Sequence, residues 1–194
     1  KKAGSKKMNE KLFETIDNLK PDLLLLGHSE LVYVETLEKI KKVFPKIKMA
    51  MWWVDPFDKI SHIDERLPFL DAFFATTAPF YYEKKFKNKT SFYFFPNICD
   101  DSIETSQSFE NNIFDNDLIF IGRTDEKRRF FIEKLKDISS IKFQIYGDDK
   151  KSSIFGQNFL DVISKSKMTI NYSRYNDISL YSSDRIIQLL AQGT

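Results

Sequence analysis

The chain has 194 residues, of which 42 % are hydrophobic and 30 % charged, and its formal net charge is +2. That length can bury a real core in one or two domains, while a charge so near zero gives no argument for nucleic acid or membrane by bulk electrostatics. One cysteine, Cys99, excludes an internal disulfide framework and fits a reducing compartment, so a cytoplasmic location is expected. Nineteen phenylalanines and a basic complement made mostly of lysine read as the drift of an A/T-biased genome before they read as function. No apolar run approaches the roughly 20 residues of a membrane-spanning helix. No transmembrane segment is expected, and peripheral membrane contact stays open.

Residues 1–5 (KKAGS) read as a cloning scar and are set aside. Residues 9–19 place Leu12, Phe13, Ile16 and Leu19 at helical spacing. Pro21 and Asp22 break that helix, and Leu23 to Leu26 reads as a fully buried strand. A helix over 30–43 carries Leu31, Val34, Leu37, Ile40 and Val43 on one face, and Pro45 ends it. Strands are predicted at 47–54, 70–77 and 91–95. Short apolar strands separated by helices point to an α/β fold with a parallel sheet covered on both faces.

Residues 97–116 are polar, rich in Asp, Asn and Ser, and lack a sustained period, which predicts a linker between a domain at 6–96 and another at 117–194. Alternation then restarts with a strand at 118–121, a helix at 125–137 and a strand at 141–146. A helix at 157–165, a strand at 168–172 and a last helix from Ser183 follow. That helix runs to a cap at Gly193. Too few strands are present for complete doubly wound sheets, so both ends are expected to be cut and both domains incomplete.

Ligands of open parallel sheets bind outside the carboxyl ends of the strands. The loops there hold Gly27-His28-Ser29, Asp55-Pro56, Gly122-Arg123-Thr124, Gly147, and Ser173-Arg174. In residues 120–129 (FIGRTDEKRR), Gly122 lets backbone approach a ligand and the following helix N-terminus favours an anion. Arg123 adds a bidentate phosphate partner. The same residues also describe a tight turn with a solvated basic helix start, and both readings stand. Near the end, Ser183 or Asp184 can cap the last helix, and Arg174 and Arg185 could hold a diphosphate beside its amides. Equally, Arg185 could be a surface residue paired with Asp184 or Asp177. His28 and His62 are the only histidines and no zinc site is expected. Asp115 and Asp117 form a D-x-D triplet on the wrong side of the sheet for metal-bound sugar nucleotides. Asp100-Asp101 and Asp148-Asp149 read as turns, and Trp52 and Trp53 as core residues facing opposite sides of one buried strand. No P-loop, G-x-S-x-G or G-x-G-x-x-G motif is present.

The second half resembles the donor-binding domain of GT-B glycosyltransferases, particularly the spore-maturation (CgeB-like) group with its opening of a strand and G-x-x-x-x-x-R. Residues 170–174 (INYSR) and 183–194 (SDRIIQLLAQGT) are similar to that group's LN-x-SR … S-x-R-x-FE-x-LA-x-G pattern. Residues 20–28 (KPDLLLLGH), 52–56 (WWVDP) and 94–97 (FFPN) are similar to its N-terminal domain and crossover. The resemblance implies two Rossmann-like domains and a nucleotide-sugar donor bound in the cleft between them without a metal or other cofactor. It implies transfer to a glycan, lipid or protein acceptor, with no nucleic-acid partner. Gly122, Arg123 and Gly147 would approach the diphosphate, with Ser183, Asp184, Arg174 and Arg185 around the phosphates. Gln188 stands where the group usually has a glutamate on the donor ribose, so the charged acceptor is lost. Asp55 and His28 would serve the acceptor side, Asp55 being the better general base if the reaction inverts. Two other readings remain: a catalytically silent nucleotide- or glycan-binding module, and a sugar-nucleotide isomerase.

Overall fold

Among the described residues, seven β-strands fall into two parallel sheets, one of four strands and one of three, flanked by six α-helices. The structure, a computed structural model, describes residues 2–27, 29–59, 63–86, 90–173 and 175–194, with backbone alone at residues 2, 3 and 58. The chain divides into two units: Lys1–Pro96 with Asp177–Tyr181, and Asn97–Asn176 with Ser182–Thr194.

The first unit contains α1 (Lys2–Leu19), β1 (Leu23–Gly27), α2 (Val34–Val43), β2 (Lys48–Trp53), β3 (Ala72–Ala75), α3 (Phe80–Lys85) and β4 (Ser91–Phe94), with the strands in that spatial order. Helix α1 is longer than the apolar period predicts, and residues 2–5 continue it. Asn9 explains part of its placement. Its amide donates to the carbonyls of Ser5 (2.8 Å) and Leu31 (2.9 Å), and its Oδ1 accepts from the Tyr33 amide at 2.8 Å. A buried polar side chain satisfied on both ends thus ties α1 to the chain entering α2.

Strand residues alternate between faces, and one row across this sheet is Leu26, Met51, Phe73 and Phe92. That row joins Ile16, Leu37, Ile40, Met49, Trp53 and Tyr82 in a single core under the helices. The opposite face departs from the expectation of a sheet covered on both sides. Leu23 and Leu25 are each 56 % exposed, so β1 is half buried and not fully buried. A run of four leucines looks wholly internal in sequence, but β1 is an edge strand whose odd positions face away from the helices. Trp53 lies in the core, while Trp52 lies on the open face, edge-on to Phe95 at 5.6 Å. Helix α3 has no counterpart in the sequence reading. At six residues it is too short to display a period.

Asp71 closes the amino end of this sheet. It accepts from Lys41 Nζ (2.6 Å), the Met49 amide (2.9 Å) and Lys48 Nζ (3.1 Å). Partial burial raises its pKa, but Lys41, the Met49 amide and Lys48 together outweigh this and bring it from 3.8 to about 2. A carboxylate whose folded pKa lies below its unfolded value stabilises the fold above pH 4, and that contribution fades as the pH falls towards 2. Because the side chain is 33 % exposed, screening trims the effect, and Asp71→Asn should cost about 1 kcal/mol at pH 7. Urea unfolding at pH 7 and near pH 2 checks this: the gap between wild type and variant should close in acid.

The second unit contains β5 (Asn116–Ile121), α4 (Glu126–Lys136), β6 (Phe143–Tyr146), α5 (Gln157–Ser164), β7 (Ser166–Ile170) and α6 (Asp184–Gln192), with β5 central between β6 and β7. Leu118, Ile119, Phe120 and Ile121 are all buried, as a central parallel strand requires. Ile119 and Ile121 pack with Ile163 of α5 and Leu189 of α6. Residues 97–116, read above as a linker, run along this unit. Asn111 Nδ2 donates to the Ser164 carbonyl at 2.7 Å, and the Asp115 amide to that of Lys165 at 2.8 Å. Ser108 is buried, and Asn97 Nδ2 donates to the Ser182 carbonyl at 3.1 Å. Among the described residues no helix is long and apolar enough to cross a membrane.

Candidate functional site

The three loops that matter leave the carboxyl ends of β5 and β6 and enter the amino end of α6. At the end of β5 the Gly122 amide donates to the Tyr146 carbonyl at 2.7 Å, which draws the chain across towards β6. Gly122 has φ +151° and Gly147 has φ +85°, both in territory that side chains disfavour. They also pack on each other: a Cβ on Gly147 would lie 3.3 Å from the Gly122 nitrogen. A Cβ on Gly122 would lie 3.1 Å from Arg185 Nη1, so the guanidinium rests over bare backbone.

The turn after Gly122 is pinned from two sides. Thr124 donates through both its amide (3.3 Å) and its hydroxyl to Asp148 Oδ1, tying the β5 loop to the β6 loop. The Asp125 carboxylate accepts from the Arg128 amide at 3.1 Å and caps α4. Arg128 Nη1 donates back to the Arg123 carbonyl at 3.0 Å. In the β6 loop, the Ser152 amide donates to Asp149 Oδ1 at 2.7 Å and the Gly147 amide to the Ser152 carbonyl at 2.9 Å. Ser152 holds the Asp149 carboxyl below its ordinary pKa, first through its amide and then through its hydroxyl. These bonds make a preformed rim.

Between the loops lies a cavity of about 490 Å³, lined on its polar side by Gly122, Arg123, Gly147, Asp184, Arg185 and Gln188. Ile154, Phe155 and Phe159 make an apolar wall, with Ser153 and Gly156 beside them. Phe155 is 80 % exposed, an unusual setting for a phenyl ring next to a polar pocket. Asp184 and Gln188 are four residues apart on α6 and share a face with Arg185. A second cavity, also about 490 Å³, sits on the open face of the first sheet and is lined mainly by Leu23, Leu25, Ala50, Trp52, Phe74 and Phe95. It has few groups to orient a polar ligand, so the cavity of the second unit is the better binding candidate.

Six of the residues chosen from sequence as donor-binding therefore meet in one cavity. Ser183 occupies the N-cap position of α6, but its hydroxyl makes no capping bond. It donates to Asn171 Oδ1 at 3.1 Å, which fastens the start of α6 to the chain after β7. The Asp184 carboxylate accepts from the Arg185 amide at 2.9 Å. Arg174, His28 and His62 lie outside the described residues. Asp55 follows β2 in the first unit and is partly exposed. Asp117 is the second residue of β5, where its carboxylate accepts from Lys167 Nζ at 2.7 Å and from the Lys142 amide at 3.0 Å. Those two bonds, Lys167 first, hold its pKa below the ordinary value. It lies at the opposite end of β5 from the cavity. Among the described residues no three His, Cys, Asp or Glu side chains gather where they could hold a metal ion.

Three contributions escaped the sequence reading. Asp148 looked like a turn residue and is the acceptor that joins two loops. Residues 153–156 line the cavity from the loop between β6 and α5, beyond the carboxyl end of a strand. Arg128, one of three consecutive basic residues, is buried, whereas Lys127 and Arg129 are exposed.

Fold and site together define an α/β protein with two parallel sheets and a glycine- and arginine-lined cavity at the strand carboxyl ends of the second. No protein-family model matches the chain, and comparison with curated proteins finds no significant match.

Proposed function

We propose that the second unit binds a nucleotide sugar and that the protein is a GT-B-type glycosyltransferase. The observation that carries this reading is the convergence of Gly122, Arg123, Gly147, Arg185 and Gln188 on one cavity of about 490 Å³, a volume suited to a nucleotide-sized ligand. Each part has a use in such a reaction. Two glycines let a diphosphate approach the backbone, two guanidinium groups offer charge-assisted hydrogen bonds, and the apolar wall can cover a base. Gln188 offers its amide to a ribose hydroxyl. During transfer the bond from the anomeric carbon to the diphosphate oxygen breaks, and the acceptor hydroxyl forms the new bond and loses its proton. Negative charge grows on the departing diphosphate. Preorganised donors aimed at that oxygen are the groups that lower the barrier, and Arg123 and Arg185 are the candidates. Asp55 and His28 carry the acceptor side of this proposal.

Gln188 in place of an acid favours one second reading, a binding module without turnover. A thermal-shift screen against millimolar UDP, GDP, ADP, CMP and their sugars tests the first claim, because a ligand of the folded state raises the apparent stability by RT ln(1 + [L]/Kd). A selective rise with one nucleotide is the expected result, and no rise with any would sink the reading. Sugar release or transfer from the selected donor then separates enzyme from silent module.

A further inference from the structure

We propose that the open face of the first sheet is a binding trough for the aliphatic chain of a single-chain carboxylic acid, a fatty acid taken free from solution. The proposal is independent of the reading of the second unit as a nucleotide site.

Strands β1 to β4 lie side by side in chain order, and right-handed crossovers between such neighbours all fall on one side of a sheet. The helices therefore share the face that carries Leu26, Met51 and Phe73, and topology leaves the other face to something else. A strand face meant for water carries polar residues. Here the open-face positions of β2 are Lys48, Ala50 and Trp52, and those of β3 are Ala72 and Phe74. Leu23 and Leu25 on β1 and Tyr93 on β4 continue the same apolar surface, and all three are exposed.

Relief within this face shapes the cavity of about 490 Å³ above it. Ala50 and Ala72 pair across β2 and β3 and make a low floor. Leu25 stands beside Ala50, and Trp52, Phe74 and Phe95 close the carboxyl end, with Phe95 5.6 Å from Trp52 and 6.1 Å from Phe74. Lys48 and Asp71 stand at the amino end. Between Lys48 and Trp52 the strand runs about 13 Å. Their side chains take up part of that length, so the gap is narrower than the roughly 10–12 Å of a helix with its side chains. A patch four strands wide and about five residues long covers on the order of 300 Å². That is well short of the roughly 800 Å² that each partner gives to a stable protein interface, which argues against a second copy. A hydrocarbon chain needs neither the width nor the area. The backbone groups of β2 and β3 are spent in ladders on both sides, so the floor offers a ligand apolar contact alone.

The amino end supplies a matching charge. Two ammonium groups share the Asp71 carboxylate, Lys41 at 2.6 Å and Lys48 at 3.1 Å. Lys48 is the more exposed of the two, at 71 %, so the cation at the mouth of the trough is only partly compensated. A carboxylate at the end of an aliphatic chain completes it.

Titration calorimetry with octanoate, decanoate and dodecanoate, each below its micellar concentration, tests the site. Wild type should bind them, and each added methylene should tighten binding about two- to fourfold. Ala72→Leu raises the floor, so it should weaken dodecanoate about tenfold or more while the ligand-free unfolding temperature holds. Leu25→Gln, at an exposed wall position, repeats the test should a leucine at 72 disturb the sheet. Lys48→Met should weaken dodecanoate about fivefold or more and leave decanol within about twofold of wild type. The proposal is overturned by wild-type protein that does not bind dodecanoate, by affinity independent of chain length, or by wild-type dodecanoate affinity in Lys48→Met or in both trough variants. Binding to vesicles of anionic phospholipid without binding of free dodecanoate overturns it as well. So does a dimer in size-exclusion chromatography that Leu25→Gln dissociates, because a second copy then occupies the face.

Discussion

Replacing Arg185 by alanine should weaken nucleoside diphosphate binding by about 10- to 100-fold, the loss of one charge-assisted contact worth roughly 1.5–3 kcal/mol. The guanidinium sits over Gly122 at the rim of the cavity, at a position that bare glycine backbone leaves open. Titration of the nucleotide selected by the thermal-shift screen, with unfolding temperature measured alongside, gives the answer. Gly122→Ala supplies an independent route to the same effect. Its new Cβ would lie 3.1 Å from Arg185 Nη1, at a backbone φ of +151° that side chains disfavour. The guanidinium must give by a few tenths of an ångström and the turn is strained while the charge is kept, so affinity should fall here too, by less than in Arg185→Ala. If both variants bind as wild type does, Arg185 is not a ligand contact and the nucleotide site loses its main support.

The second large effect concerns stability, and a pair of adjacent leucines isolates it. Leu26→Ala should destabilise the first unit by about 3–5 kcal/mol, the range for a buried leucine that leaves a cavity. Leu25→Ala should cost about 1 kcal/mol or less, because an exposed side chain loses little burial. Leu26 is 4 % exposed and stands in the row with Met51, Phe73 and Phe92. Its neighbour points to the open face. For a unit of this size the larger loss corresponds to a fall in unfolding temperature of roughly 12–25 °C. Near-equal losses at the two positions would mean that the face carrying Leu23 and Leu25 is covered in solution.

Arg128 shows why part of the site stayed hidden in the sequence. Lys127, Arg128 and Arg129 look alike as a basic helix start, and only the G-x-x-x-x-x-R spacing from Gly122 sets Arg128 apart, without saying that it turns inward. Burial of Arg128 depends on Phe120 and on the path of the Arg123 peptide, which are contacts of the folded unit. Asp148 is similar. An Asp-Asp pair after a strand announces a turn, but the Thr124 that it holds lies 24 residues away. By contrast, Gly122 and Gly147 were readable, because glycine at a strand's carboxyl end has a local backbone reason to be there.

The sequence by itself determined the kind and order of the main elements. Apolar spacing and breakers such as Pro21 and Pro45 place strands at 23–26, 47–54 and 118–121 and helices at 30–43 and 125–137, and the structure has them at Leu23–Gly27, Lys48–Trp53, Asn116–Ile121, Val34–Val43 and Glu126–Lys136. Those signals act over a few residues, so they survive without knowledge of the partner surfaces. Three things waited for the tertiary structure. One was that only one face of β1 is covered; another was that residues 97–116 run along the second unit; the third was that loops 24 to 62 residues apart line one cavity. Each depends on which distant segment arrives at a given surface, and burial is a property of both surfaces together.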